Sequence, residues 1–507
     1  MWTKTATAIL SVCAGTVWAQ DKPLSAIDWL SDSISTPNAA PTPNAEPPVT
    51  GSASVGDITV TPLDDPNAVA IGLIPQSVTG LAADLWGSSD PGTLANLILA
   101  NHNVQTPAMQ DLLETLILAE LTPPLGGDTD GMLLRARIDT LLDTGRVLQA
   151  LALIELAGAG SPELVQRWLD AALLTGQENR VCTALTQSKS ITLTLPSRIF
   201  CLAREGDWNA AALTLGTARA LGQMDEETEI LLSRFLDPAL YEDEPVQTPD
   251  RITPLIFRIY EAIGEPLPTA TLPRAFAITD LERRNGWKAQ LEAVERLARS
   301  GAVDPNQVMG VYTQRLPSAS GGIWDRVDAI QVLEISLKAR DPGGVQKALP
   351  DAWRAMQDSR TETIFANVFA TRLGALPLVR EQRAIALKIV ALSDSYETLV
   401  PKLANPTQDA ALVSLAQGRA IPVPRNALER ALSSGFESGP APVELSNLVR
   451  EGKIGEAILR AIASFEAGQT GDPSQMTDAL RLLRQVGLED VARQAALQAL
   501  VLGRDTG

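Results

Sequence analysis

The feature that most constrains this chain is a glycine that returns where one apolar-periodic segment closes and the next opens. Gly145, Gly176 and Gly206 follow one another at spacings of 31 and 30 residues, and Gly452 and Gly487 lie 35 apart. Five residues after each comes a small or branched apolar residue, in turn Ala150, Val181, Ala211, Ala457 and Ala492, and Gly286 with Leu291 repeats the device. A glycine supplies the left-handed backbone that ends a helix without a Cβ penalty. A small residue one and a half turns later lets two antiparallel helices approach closely. The pattern predicts short helices stacked in pairs.

The segments between the glycines agree. Beyond Ala70 the stretches LANLILANHN, MQDLLETLILAELT, MLLRARIDTLLDTG, VLQALALIELAGAG, PELVQRWLDAALLTG and ENRVCTALTQS follow with short connections. Their apolar residues recur at spacings of three and four, which is the helical period. Ser161 before Pro162 reads as a capped first turn. Aromatics make up only 4% of the chain while Ala and Leu, leading helix formers, abound, and strand signals are nearly absent. The expected fold class is all-α, an α-solenoid of antiparallel helix pairs.

Gly206-Asp207-Trp208-Asn209-Ala210-Ala211 resembles the opening of the second helix of tetratricopeptide repeats, Gly-Asp-aromatic-x-x-Ala, and Gly452 to Ala457 matches it loosely. The resemblance covers residues 130–225 and 445–502, while the Trp-x-x-Leu-Gly-x-x-Tyr signature of the first helix is missing and the middle, 274–358, lacks a clean repeat. It implies a degenerate tetratricopeptide-like solenoid with Trp208 packed between the two helices of its pair. It also implies a curved inner surface of the kind that binds peptides or proteins.

The chain opens MWTKTATAILSVCAGTVWAQ, with one positive charge at Lys4, a short apolar stretch and a small-residue exit at Val17-Trp18-Ala19. This is the anatomy of a secretory signal peptide, residues 1–19, cleaved after Ala19. Lipidation at Cys13 is disfavoured because Val12 fills the place of a small residue. No later run reaches the roughly 18 apolar residues of a membrane helix, so no transmembrane anchor is expected. The expectation is an exported protein of the periplasm. Residues 20–70, with the tandem TPNAAP/TPNAEP, cannot bury enough surface to offset chain entropy and read as a disordered linker. Composition then divides the rest into an N-terminal helical repeat region, 71–240, an irregular connection, 241–272, a middle helical region, 273–432, a loop, 433–445, and C-terminal helical repeats, 446–507.

Chemistry is sparse in this inventory. A net charge of −18 opposes nucleic acid and anionic lipid and keeps an alanine-rich surface soluble. His102 is the only histidine, and nothing identifies partners for a triad, so no catalytic residue is assigned. No metal site, cofactor-binding motif or cofactor is expected. The acids of MDEETEILL, from Met224, sit where a helix begins and suit its dipole. YEDEP, 241–245, lacks the alternation of a calcium loop. ASGG, 319–322, is neither a nucleophile elbow nor a phosphate cradle. Trp287, in the locally basic LERRNGWKAQ, reads as a repeat-boundary turn, with a partner-facing patch as the alternative. Cys182 and Cys201 are equidistant from a turn near Ile191, which places them level across an antiparallel pair, either as a disulfide or as two buried thiols.

The functional expectation is a non-enzymatic periplasmic adaptor or assembly factor that binds protein partners of a cell-envelope machine. Peptidoglycan synthesis regulation, a flagellar motor or motility accessory, and secretion or outer-membrane assembly all fit. The alternatives are a peptidoglycan-acting enzyme on a superhelical scaffold and a passive spacer. Oligomeric state is left open.

Overall fold

A computed structural model of the chain describes residues 71–503 except 129–130, 159–160, 188–192, 242–248 and 282–284. The chain divides into two units, Met1–Pro62 and Leu63–Gly507, and the account that follows is of the second. The signal peptide, the linker and most of YEDEP lie outside the described residues.

The described residues form helix after helix. The first group is α1 (Gln76–Thr79), α2 (Pro91–Ala100), α3 (Pro107–Leu118), α4 (Met132–Thr144) and α5 (Val147–Ala157). The second is α6 (Pro162–Leu174), α7 (Glu178–Gln187), α8 (Leu195–Arg204), α9 (Trp208–Ala220), α10 (Glu226–Leu236) and α11 (Pro254–Ala262). A 3-10 turn at Arg274–Phe276 leads into the third: α12 (Ala277–Asp280), α13 (Trp287–Ala298), α14 (Pro305–Tyr312), α15 (Ile323–Lys338), α16 (Pro342–Ser359), α17 (Glu362–Gly374), α18 (Arg380–Ala391), α19 (Tyr396–Leu403) and α20 (Ala410–Ala416). The last is α21 (Ala427–Phe436), α22 (Val443–Arg450), α23 (Ile454–Thr470), α24 (Ser474–Gln485) and α25 (Glu489–Leu502). Most successive helices pack on one another, while α2 packs mainly on α4 and α21 on α24. Among the described residues there is no strand, only an isolated bridge between Ile74 and Ala119. The fold is all-α, a solenoid of helix pairs.

The ends of the helices are written locally. Six helices open with Asp, Ser or Thr followed by proline: Asp90-Pro91, Thr106-Pro107, Ser161-Pro162, Thr253-Pro254, Asp304-Pro305 and Asp341-Pro342. Proline loses nothing at a position whose N–H has no helical partner, and the preceding oxygen caps the first turn. At the closing ends, Gly145, Gly176, Gly206, Gly452 and Gly487 all take a positive φ, between 69° and 89°. Ala150, Val181, Ala211, Ala457 and Ala492 are all fully buried. Gly286 differs: its φ of −60° is ordinary extended backbone, and it stands at the N-cap of α13.

Two of the compositional boundaries are crossed by helices. The 241–272 stretch contains α11, a nine-residue helix started by Thr253 and Pro254, whose Leu255, Phe257, Ile259 and Tyr260 are buried. The 433–445 stretch contains the end of α21, which includes Gly435, and Leu480 of α24 leaves no room there for a side chain: an added Cβ would meet Leu480 Cδ1 at 2.7 Å. The punctuation there records close packing.

The apolar core is partitioned in a way composition does not show. One cluster joins residues 81–154 to residues 277–499, and a second runs from Val147 to Phe276. Residues 147–276 thus form a lobe that carries most of a second core, tied to the first through Ala150, Leu153, Ile154 and Leu164, and the first helices pack against the last. At that junction Gly455 N donates to Leu85 O at 2.8 Å, and a Cβ on Gly455 would lie 2.4 Å from Trp86 Cε3. Asn101 Nδ2 donates to Leu459 O at 3.1 Å. The N-terminus of α3 is completed from the far end of the chain. Thr106 alone of the six proline-flanked caps makes no side-chain cap bond. Instead Glu466 of α23 accepts from Gln105 N at 2.9 Å and Thr106 N at 3.0 Å, and Gln498 of α25 accepts from Ala108 N at 2.8 Å. A carboxylate there also faces the positive end of the α3 dipole.

Candidate functional site

Two features of the lobe and its base are candidates: an apolar face on the lobe, and a charged cleft where the lobe leaves the body.

The lobe is internally stapled. Cys182 of α7 and Cys201 of α8 are bonded, and both are fully buried. Phe200 of α8 stacks on Phe235 of α10 with ring centroids 5.5 Å apart. Trp208 lies on the other side of Phe235, at 6.1 Å, and remains 49% exposed. It is therefore not the wedge between α8 and α9 that the repeat resemblance implied. The side chain at the first position of α9 leans toward the following helix, and Ala211, Leu215 and Ala218 fill the α9 seam instead. Asp207 caps α9, its Oδ1 accepting from Ala210 N at 3.0 Å.

The rest of the exposed side of α9 carries one charge, Arg219, beside a run of small and apolar residues. Asn209, Ala212, Leu213, Gly216, Thr217 and Ala220 fall on its exposed side, and Leu213 is 73% exposed. Leu148, Leu156, Leu221 and Ile230 add exposed apolar groups to the same lobe and its entry. In a chain one-fifth charged, such a face is unusual. The one basic residue of α9, Arg219, turns aside to pair with Glu229.

The cleft lies at the base of the lobe. Gly145, where the chain enters the lobe, and Arg274, where it leaves, touch: a Cβ on Gly145 would meet Leu297 Cδ2 at 2.6 Å and Arg274 Cγ at 3.3 Å. Beside this contact opens a space of about 450 Å³ lined by His102, Asn103, Asp143, Pro273, Arg274, Arg296 and Arg299. Arg296 and Arg299 come from the last turns of α13, one turn apart. Arg296 donates to Thr269 O at 2.8 Å and to Leu272 O. Arg299 Nε donates to Ser359 O at 2.8 Å, and its Nη2 lies 3.6 Å from Glu295. Glu295 is itself buried and committed, accepting from Tyr312 Oη at 2.6 Å and from Arg326. The Arg274 guanidinium makes no hydrogen bond or ion pair among the described residues.

Burial, then Arg296, Arg146 and Arg299, hold the Arg274 guanidinium below its usual range, and Asp143 opposes them. Burial and then Arg299 do the same to Arg296. Burial also pushes the Asp143 carboxyl up, against the pull of His102 and Arg274. His102 Nδ1 lies 2.7 Å from Leu99 O. Behind the cleft, Arg146 is 3% exposed, pairs with Glu114 at 2.7 Å and donates to Ser300 O, while its Nε has no partner. His102 and Arg274 stand between the cleft and a small inner cavity, which Arg146 also lines and where Thr140 Oγ1 is unpartnered.

Of the residues singled out in the sequence, the structure gathers Trp208 and Ala211 with the Cys182–Cys201 bond in one lobe, and places Gly452, Ala457, Gly487 and Ala492 in the α22–α25 stack. Trp287 is buried, its Nε1 donating to Val311 O at 2.9 Å and its ring 5.3 Å from Trp324, so it presents no face to a partner. In MDEETEILL, Asp225 caps α10 by accepting from Thr228 N at 2.8 Å. Among the described residues no group of three His, Cys, Asp or Glu is disposed to hold a metal. No described helix is long and apolar enough to cross a membrane. Sequence reasoning missed Arg274, Arg296, Arg299 and Asp143. Only the one-turn spacing of Arg296 and Arg299 was there to find, and a pair of that kind is common on any helix.

Comparison with protein-family models, curated proteins and solved structures finds no match to this chain.

Proposed function

We propose that this is an exported, tetratricopeptide-like adaptor or assembly factor, without enzymatic activity, that binds a protein partner of the cell envelope through the exposed side of α9. The observation that carries this reading is the uncharged face Asn209-Ala212-Leu213-Gly216-Thr217-Ala220. Its small residues let a second backbone come close, and Leu213 with the half-exposed Trp208 supplies apolar anchors. An amphipathic helix of the partner, docking by its apolar stripe, is the occupant that suits such a surface. The signal-like start of the chain supports export to the periplasm, and the proline-rich 20–70 segment supports a tether that gives the lobe reach.

The test is a photo-crosslinking residue at Leu213 in the exported protein, with the same residue at Lys347 of α16 as control. One envelope protein captured at 213, absent at 347, and lost when Trp208→Ala is added supports the reading, provided the purified pair also associates. Equal capture at both positions, or none, defeats it, and glycan strands recovered without protein redirect it to a peptidoglycan-acting enzyme. N-terminal sequencing of the exported form should start near Gln20. A retained Met1 would remove the export part of the proposal.

A further inference from the structure

The base of the lobe has a feature that protein docking on α9 does not use. Three guanidiniums, Arg274, Arg296 and Arg299, converge on one space of about 450 Å³ in a chain that carries 60 acidic residues against 42 Lys and Arg. Asp143 is the single carboxylate in that lining. Arg296 and Arg299 are held in place by backbone carbonyls, so their positions are fixed before anything binds. Arg274 is held by its stem against Gly145, while its head makes no bond among the described residues. Directly behind, the buried Arg146 keeps an unpartnered Nε.

Like charges gathered in a partly desolvated space cost stability, and of the three only Arg299 has a carboxylate within ion-pair reach among the described residues, Glu295, which is shared with Arg326. An oxyanion would neutralise them on arrival. The Arg274 fork matches the two-oxygen edge of a carboxylate or phosphate, while Arg296 and Arg299, turned partly onto backbone carbonyls, add positive charge beside it, so that the repulsion among the three would become attraction to a shared ligand. The volume is that of a small-molecule site. We propose that the cleft binds a small soluble anion, carrying a phosphate or clustered carboxylates, on Arg274, Arg296 and Arg299. Asp143 and His102 then face the remainder of the ligand and suit a hydroxyl or ammonium donor. Because Pro273 and Arg274, at the end of the lobe, line the cleft together with His102, Asp143, Arg296 and Arg299 of the body, a bound anion would hold the end of the lobe to the body.

The experiment is thermal unfolding of the full chain, purified without phosphate or carboxylate buffers, titrated with inorganic phosphate or with citrate, and with sodium chloride at matched ionic strength. A saturable rise in Tm with phosphate, with citrate or with both, absent with chloride, is expected, and which anion acts identifies the class. Arg274→Gln should weaken the apparent affinity at least tenfold while changing the Tm without anion little, because the guanidinium makes no hydrogen bond to lose and its attraction to Asp143 is offset by repulsion from Arg296, Arg146 and Arg299. Arg315→Gln, exposed and remote from the cleft lining, should bind as the unmodified chain does. No saturable rise with either anion, or the same rise in Arg274→Gln as in the unmodified chain, overturns the proposal. Neither result bears on the α9 face, whose crosslinking is read separately.

Discussion

Gly206 and Gly286 look alike in the sequence, each opening a helix with tryptophan close behind, yet they do different physical jobs. Gly206 has a φ of 89°, a region that costs an L-residue roughly 1–2 kcal/mol, and nothing lies within 4 Å of an added Cβ. Gly206→Ala should therefore lower stability by about 1 kcal/mol in urea unfolding, through backbone strain alone. Gly286 sits in extended backbone at an N-cap, so Gly286→Ser should cost nothing and gain a capping oxygen. Asp170 supplies a pH test. Burial, opposed by the Gln166 hydrogen bond and by Arg167, pushes its carboxyl up to about 6. A carboxyl raised in the folded state binds more protons there than in the unfolded chain, so its contribution to stability falls as pH rises from about 4 to about 6 and stays low above that. Asp170→Asn should then stabilise on the order of 2 kcal/mol at pH 7.5 and have little effect at pH 3.5. Equal shifts at both pH values would show that the effect is not titration. Of these positions only Gly206 was legible, because a left-handed φ is where a glycine is favoured, while the N-cap role of Gly286 depends on the helix that follows it. Trp208 was misplaced because its partner, Phe235, belongs to the following helix.

At the scale of elements, caps, prolines and apolar periods were readable wherever a helix satisfies its own ends. They fail where the missing partner lies far off. The N-terminus of α3 is the instance, since Thr106 has the look of a self-capping residue while Glu466 and Gln498 hold the backbone N–H groups. Glu466→Ala should cost about 1–2 kcal/mol, with loss of hydrogen-exchange protection appearing together in α3 and α23. Loss confined to α23 would mean that the capping adds nothing. The Cys182–Cys201 bond closes a loop of about twenty residues, worth roughly 3 kcal/mol in the chain-entropy account. Reduction, or Cys182→Ser with Cys201→Ser, should lower protection in α6–α9 well before α22–α25. Uniform loss over both would argue against a lobe that unfolds by itself.

For the molecule as a whole, the division into two cores matters more than any boundary drawn from composition. The lobe, 147–276, holds the stacked Phe200–Phe235 pair, the disulfide and the exposed α9 face, while the body joins the first helices to the last. The cleft of Asp143, Arg274, Arg296 and Arg299 lies where the two meet. The long separation of the body's contacts, from Trp86 to Gly455, also makes it the slower part to assemble, because the loop must close before the contact forms.

The sequence by itself determined that this protein is a run of short paired helices, where most of them stop, and which small residues lie in their seams, because helical period, capping and glycine's φ freedom act over a few residues. It held no sign that α2 and α3 close on α23 and α25, that residues 147–276 carry most of a second core, or that three arginines share a cleft. Those were decided by tertiary packing, because each joins groups tens to hundreds of residues apart, and no local preference records which distant surface will cover an apolar face or complete a helix end.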